Sequence, residues 1–274
     1  VIGLAPQNIS WATDNSKLAK PVVRDAQSDE STYFIMTDRY ENGDSSNDFG
    51  GSVQLKNISG FSPSEIGWWH GGDFKGITKN LTSIKDLGFT SIWITPPVVQ
   101  KAVQGDSAAY HGYWGVDFTT TDPRLGSEAD FKELVSAAHK LNLKVIVDVV
   151  INHTADVIYY ENGKPKVSKA EASIKKPNWL NAISNYHNLG NNPVRGNAVL
   201  DGDFFGLDDL ATEKEVVIKG WIDIWSTWIT KFDIDGMRID TFKHVNPEFW
   251  KRFIPEIKKV AAKEGKTDFP IFGE

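Results

Sequence analysis

Residues 233–244, DIDGMRIDTFKH, decide how the chain is read. Ile234, Met237 and Ile239 make the segment a short buried strand that ends in charge, and Gly236 lets a neighbouring backbone come close. Side chains alternate along a strand, so Arg238 and Asp240 share one face while Met237 and Ile239 share the other. An Arg two residues from an Asp on one face holds that carboxylate ionised at neutral pH. An ionised carboxylate at the carboxyl end of a strand suits a nucleophile, although a structural ion pair would use the same two residues.

Working outward, residues 213–232 form a helix with Val217, Trp221, Ile224, Trp225, Trp228 and Phe232 on one side. After the strand, Asn246 caps a helix that has Pro247 at its first position. Phe249, Phe253, Ile257 and Val260 form its stripe, and Pro255 is expected to bend it. Residues 269–274, FPIFGE, make one more strand. Towards the N-terminus, residues 32–40 (TYFIMTDRY), 90–95 (TSIWIT) and 144–150 (KVIVDVV) read as strands. The last is nearly all β-branched, as expected when both faces are covered. Between them lie two helices. One follows Gly71-Gly72-Asp73 and turns Ile77, Leu81, Ile84 and Leu87 inward. The other opens on Ser127 and Asp130, which resemble a capping box, and turns Phe131, Leu134, Val135, Ala138 and Leu141 inward.

Strand and helix therefore alternate, which predicts an α/β fold with a parallel sheet wrapped by helices. The first five strands of a (β/α)8 TIM barrel fit this order. A doubly wound sheet fits the count too, but no Gly-rich phosphate loop follows the first strand. Residues 155–212 break the rhythm and are too many for a plain loop, so an inserted small subdomain is expected after the third strand. The expected divisions are an arm or the end of an upstream domain at 1–31, barrel at 32–153, insert at 154–212 and barrel again at 213–274.

A net charge of −6 argues against nucleic-acid or anionic-membrane partners. No apolar run approaches the roughly 20 residues of a membrane span. The chain has no Cys, hence no disulfide framework. The loop after the first strand is dense in oxygen side chains: Asn42, Asp44, Ser45, Ser46, Asn47 and Asp48. Hard cations such as Ca²⁺ take six to eight such oxygens, and a solvated turn uses the same residues.

In a parallel barrel, functional groups gather at the carboxyl ends of the strands. Those ends hold residues 38–48, the 111–114 loop, 148–153, 238–244 and Glu274. Asp240 and Glu274, on neighbouring strand ends, could flank a glycosidic bond, and retaining enzymes need such a pair about 5–5.5 Å apart. Three segments, DVVINH (148–153), GMRIDTFKH (236–244) and FGE (272–274), resemble short sequence regions of the α-amylase family of retaining glycoside hydrolases, in the family's order. TDRY (37–40), YHGYW (110–114) and LDDL (207–210) are similar to its extracellular amylase and cyclodextrin glucanotransferase branch.

That resemblance implies that Asp240 is the nucleophile and Glu274 the general acid/base, with Arg238 supporting Asp240 and holding its pKa low while that of Glu274 is raised. It implies that His153 bonds a sugar hydroxyl, Tyr113 stacks beneath the same ring, Trp114 belongs to the same glucan-binding loop, and Asp148 orders the site from behind. Lys243 and His244 would meet the sugar on the leaving side. Phe204 and Phe205 lie near where glucanotransferases place an aromatic that guides the glucan, though packing inside the insert would use them equally. Ca²⁺ is implied at two places: one with Asn42, Asp44, Asn47, Asp48, Gly71 and Asp73, the other joining barrel to insert through Asn152, Asp209 and the main-chain oxygen of His244. The implied protein is a secreted, bacterial-type monomer acting on α-glucan. The family's third carboxylate and last three strands have no counterpart here, so the chain is expected to be the front part of a longer polypeptide. A glucan transglycosylase and a catalytically silent glucan-binding relative are the alternatives.

Overall fold

The computed structural model describes residues 30–191 and 199–274, so nearly all of the arm expected at 1–31 lies outside the described residues. Five strands, β1 (Thr32–Ile35), β2 (Ser91–Ile94), β3 (Lys144–Val150), β4 (Gly236–Asp240) and β5 (Ile271–Gly273), lie side by side in chain order. All four pairings are parallel. Helices α1 (Phe74–Asp86), α2 (Glu128–Lys140), α3 (Glu215–Phe232) and α4 (Pro247–Lys263) alternate with them. This is the expected five-strand part of a (β/α)8 barrel.

The alternation of side chains divides the strands cleanly. Ile92, Ile94, Val145, Val147, Val149, Met237 and Ile239 are wholly buried towards the helices. They meet the inward stripes of those helices, where Trp221, Trp225 and Trp228 of α3 are almost entirely removed from water. A buried Trp withdraws about 150–250 Å², worth at most about 4–6 kcal/mol by area. Phe131 of α2 joins this layer, with ring centroids 5.7 Å from Trp228 and 5.2 Å from Phe232. The opposite face of β3 and β4 carries Asp148, Arg238 and Asp240.

The register of β4 is pinned at its start. Asp235 is buried and accepts from Val145 N at 2.8 Å, Lys266 Nζ at 2.8 Å and the His139 ring at 2.7 Å. At the other edge, a Cβ on Gly236 would lie 2.7 Å from the Pro270 ring, so only glycine allows β5 to close in. The paired rows that result set Arg238 beside Asp148 on one side and Phe272 on the other.

Four local expectations are corrected. Residues 32–40 do not form one strand: β1 stops at Ile35 and Thr37–Tyr40 is a helical turn. The cause is Asp38, whose buried carboxylate accepts from His70 N and Gly71 N at 2.8–3.0 Å and so competes with the ladder. Leu87 is 71% exposed because α1 ends one residue before it. Asn246 holds the N-cap position of α4, but its side chain makes no capping bond; it donates instead to Thr212 and Glu213. The FPIFGE segment contributes only Ile271–Gly273 to the sheet. The capping box of Ser127 and Asp130 is present with both of its bonds, and α4 runs on through Pro255.

The described residues between β3 and α3 contain no α-helix. They hold a hairpin, Ile158–Glu161 against Lys164–Val167, and short 3-10 turns. Asn162 and Gly163 both have positive φ, as a tight two-residue hairpin loop requires. A two-residue ladder, His153–Thr154 against Asp208–Asp209, ties this segment to the end of β3. Beside it Asp208, wholly buried, accepts from Val157 N and Ile158 N and pairs with buried Lys175. Burial pushes Asp208 up to about 6 against the pull of Lys175, and burial lowers Lys175. Lys175→Met leaves that carboxylate without its partner; the expected cost is about 3–5 kcal/mol, or roughly 10 °C in Tm. Thermal unfolding checks this, and adding Asp208→Asn should recover part of the loss.

Candidate active site

Arg238 stands at the centre of the charged cluster. Its Nη1 donates to Asp240 Oδ1 at 2.9 Å and to both oxygens of Asp148 at 3.0 and 3.1 Å. Its Nη2 lies 2.7 Å from Glu274 Oε2. One planar fork therefore meets three carboxylates from three adjacent strands, a task suited to guanidinium and not to ammonium. Asp148 is fully buried, Asp240 is 8% exposed, and the Glu274 side chain is 61% exposed.

Further donors close on Asp148. Tyr113 Oη donates to its Oδ2 at 3.0 Å, and Trp93 Nε1 to the same oxygen at 3.2 Å. The Tyr113 ring lies nearly parallel to His111, centroids 5.6 Å apart, and His111 Nδ1 accepts from Tyr113 N. Trp114 sets its ring edge-on to His111 at 4.8 Å and is fixed by Gln100, whose Oε1 accepts from its N–H. His153 follows β3 and is buried. Neither of its ring nitrogens has a hydrogen-bond partner among the described residues, and its ring stacks on Phe204 at 6.1 Å. Phe204 also packs against His244 at 4.9 Å. Lys243 and His244 share the 3-10 turn Phe242–His244, which Thr241 initiates with a left-handed backbone just past Asp240. Lys243 is exposed.

The electrostatics differ from expectation at one point. Burial raises the pKa of Asp240, and the negative charge of Glu274 adds to the rise, against the pull of Arg238. The guanidinium does not hold this carboxyl low because burial, the larger effect, outweighs its pull. Burial likewise pushes Asp148 up to about 7 and lowers His153 to about 4. The Tyr113 phenol is raised by burial and by Asp148.

Among the described residues no three His, Cys, Asp or Glu side chains form a metal-holding group, so either proposed cation site would also need amide or main-chain oxygens. At the insert, Asn152 Oδ1 is buried with no partner, and Leu210 N donates to Asn152 O, which sets Asp209 beside it. An orphaned amide oxygen next to a buried carboxylate fits a hard cation. The Asp209 carboxylate is also met by Gly202 N at 2.7 Å and by His187. Burial opposes the charge on His187, yet Asp209 and Glu213 raise it to about 9. The His244 ring bonds Val199 O at 2.7 Å. In the other loop, Asn47 Oδ1 is buried without a partner, and a Cβ on Gly71 would lie 2.5 Å from Asn42 Nδ2 and 2.7 Å from Asp48 Oδ1. This cradle fits less well, because Asp73 caps α1 and accepts from Gly43 N, Asp44 N and Gly76 N, while Asp44 pairs with Lys75.

Thus Asp148, Arg238, Asp240, Glu274 and Tyr113 form one bonded cluster, and His153 and His244 are joined through Phe204. Trp93, Phe204 in this joining role, and His187 were not singled out from sequence. An indole near the end of a barrel strand is the only hint that could have marked Trp93.

The family model described as the alpha amylase catalytic domain matches residues 34–271. An alpha-amylase of Streptomyces lividans is 39% identical over 262 residues, covering 79% of this chain and 28% of the relative. A cyclomaltodextrin glucanotransferase of Klebsiella oxytoca is 31% identical, covering 89% of this chain and 37% of the relative. Among solved structures, an Anoxybacillus alpha-amylase superposes with a TM-score of 0.70 at 36% identity, covering 91% of this chain and 48% of that one. The chain thus spans about half or less of the length of each. With the matched model covering most of its residues, the chain belongs to the α-amylase family.

Proposed function

We propose that the chain carries the nucleophile and the acid/base of a retaining glycoside hydrolase that cleaves α-glucosidic bonds of starch-like glucans. The observation that carries this reading is the single Arg238 fork bonded to both Asp240 and Glu274 at the carboxyl ends of adjacent strands. Protonated Glu274 gives its proton to the leaving oxygen while Asp240 attacks the anomeric carbon, forming a covalent glucosyl-enzyme. Glu274, now a carboxylate, then activates water. Arg238 pulls Asp240 towards the ionised form that attacks, against the rise that burial imposes.

Tyr113 supports the sugar ring beside this pair. His153, buried with unpartnered ring nitrogens, would offer a hydrogen bond to a substrate hydroxyl. Trp114 extends the aromatic wall, and Lys243 and His244 face the leaving side. A polymeric glucan cannot cross a membrane, so the whole protein is read as secreted; among the described residues no helix is long and apolar enough to span one. Ca²⁺ at Asn152, Asp209 and the His244 carbonyl would supply a fixed positive charge that fastens insert to barrel. The loop of Asn42, Asp44, Asn47, Asp48, Gly71 and Asp73 is the second, weaker candidate. Transfer to an acceptor sugar instead of water is the alternative outcome. It is favoured by Phe205, which is 90% exposed beside Phe204 and packs in no core.

In the whole protein, Asp240→Asn should lower turnover of soluble starch by about six orders of magnitude, the scale seen when a nucleophile is removed. A variant with wild-type rates overturns the assignment. His153→Phe removes two unsatisfied buried nitrogens while keeping a ring, so stability should hold or rise by about 1 kcal/mol as glucan affinity falls; paired melting and binding curves check both. Ca²⁺ at about a hundred times its Kd should add about 2.7 kcal/mol of stability over the chelated protein. No change in Tm on chelation, with no ion found by metal analysis after dialysis, removes the calcium sites.

A further inference from the structure

Trp93 lies on β2, outside the residues given a role above, yet its indole meets three parts of the charged cluster. Its Nε1 donates to Asp148 Oδ2 at 3.2 Å. Its ring stands below Arg238, with the guanidinium carbon 5.2 Å from the ring centroid. The same ring packs edge-on to Phe272 at 6.2 Å and tilted against Phe34 at 4.5 Å. Phe272 precedes Glu274 by two residues on β5. One side chain from β2 therefore touches the buried aspartate of β3, the guanidinium of β4 and the strand that carries the acid/base.

The need for such a contact follows from the charges. Asp148 is buried and ionises only when donors compensate it. Arg238 and Asp240 from β4, Tyr113 from the 111–114 loop and Trp93 from β2 are the groups that face it. Without enough neutral donors, Asp148 would draw the guanidinium onto itself and away from the two groups that do the chemistry. Tyr113 and Trp93 supply those donors. The flat indole also offers its electron-rich face to the cation, which limits how far the fork can tilt.

We propose that Trp93 is a positioning residue: by donating to Asp148 and backing the Arg238 guanidinium, it keeps that fork aimed at Asp240 and Glu274. The inference rests on the retaining chemistry proposed above. A lost N–H leaves the ionised form of Asp148 less stable, so this group takes up its proton at higher pH; neutral Asp148 no longer anchors its side of the fork, and the acid limb of the kcat profile moves up.

The test replaces Trp93 in the full-length enzyme with 3-benzothienylalanine, which keeps the bicyclic shape and has sulfur in place of N–H. Trp93→Phe and Asp240→Asn run beside it. The benzothienyl variant should melt with the wild type. Its kcat should fall about tenfold with KM changed less than about twofold, and its acid limb should rise by about one pH unit, the scale for one bond to a charged group. Trp93→Phe should show the same shift. Wild-type kcat and pH profile in the benzothienyl variant overturn the proposal. So does a fall in kcat with an unmoved acid limb, which is what a purely structural role gives. Turnover in Asp240→Asn would instead overturn the underlying chemistry, whatever Trp93 does.

Discussion

One cation among three carboxylates is the constraint on which this structure turns. Asp148 and Asp240 come from β3 and β4, Glu274 directly follows β5, and the Arg238 side chain holds them together. Three like charges so close would spread the strand ends apart or force protons onto two of them. The fork offsets part of this because the strands deliver Asp148 and Asp240 to its Nη1 and Glu274 to its Nη2, although burial still raises the pKa of both aspartates. That delivery depends on register, since a slip of one residue would turn Arg238 into the helix-facing core. The Asp235 cluster at the other end of β4 fixes the register, so a buried polar knot far from the cleft sets the geometry within it.

The segment between β3 and α3 is fastened to the barrel where the chemistry needs it. His153 and Asp209 are paired in one short ladder, so the residue proposed to bond a sugar and the residue proposed to hold a cation share a single backbone junction. Phe204 then reaches from this segment to touch both His153 and His244. Contacts of this kind join one wall of the cleft to the other without passing through the sheet.

Much of this was legible in the sequence because it is local. The alternation of strand and helix, the apolar stripes of α1 to α4 and the Ser127 capping box follow from periodicity and short-range bonds. Arg238 and Asp240 were placed on one face by the two-residue period alone. What escaped depends on partners distant in sequence. Asp38 ends β1 early because its carboxylate bonds the backbone at His70 and Gly71, some thirty residues away. The raised pKa of Asp240 follows from burial and from the nearby charge of Glu274, which the Arg-x-Asp spacing cannot show. The hairpin of Ile158–Val167 is a different case: Asn162-Gly163 between two β-prone runs is a readable turn signal, hidden by the polar composition around it.

That hairpin has an evolutionary consequence. Its anchors, Asp208 bonded to Val157 and Ile158 and paired with Lys175, sit at its base, while Asn162 and Gly163 at its tip are exposed. Residues added at the tip would disturb none of the base bonds, and doubling a flexible loop costs only about 0.6 kcal/mol in closure entropy. Descendants of this chain can therefore grow new surface at the tip, or accept a grafted module there, while the bonds at the base stay unchanged.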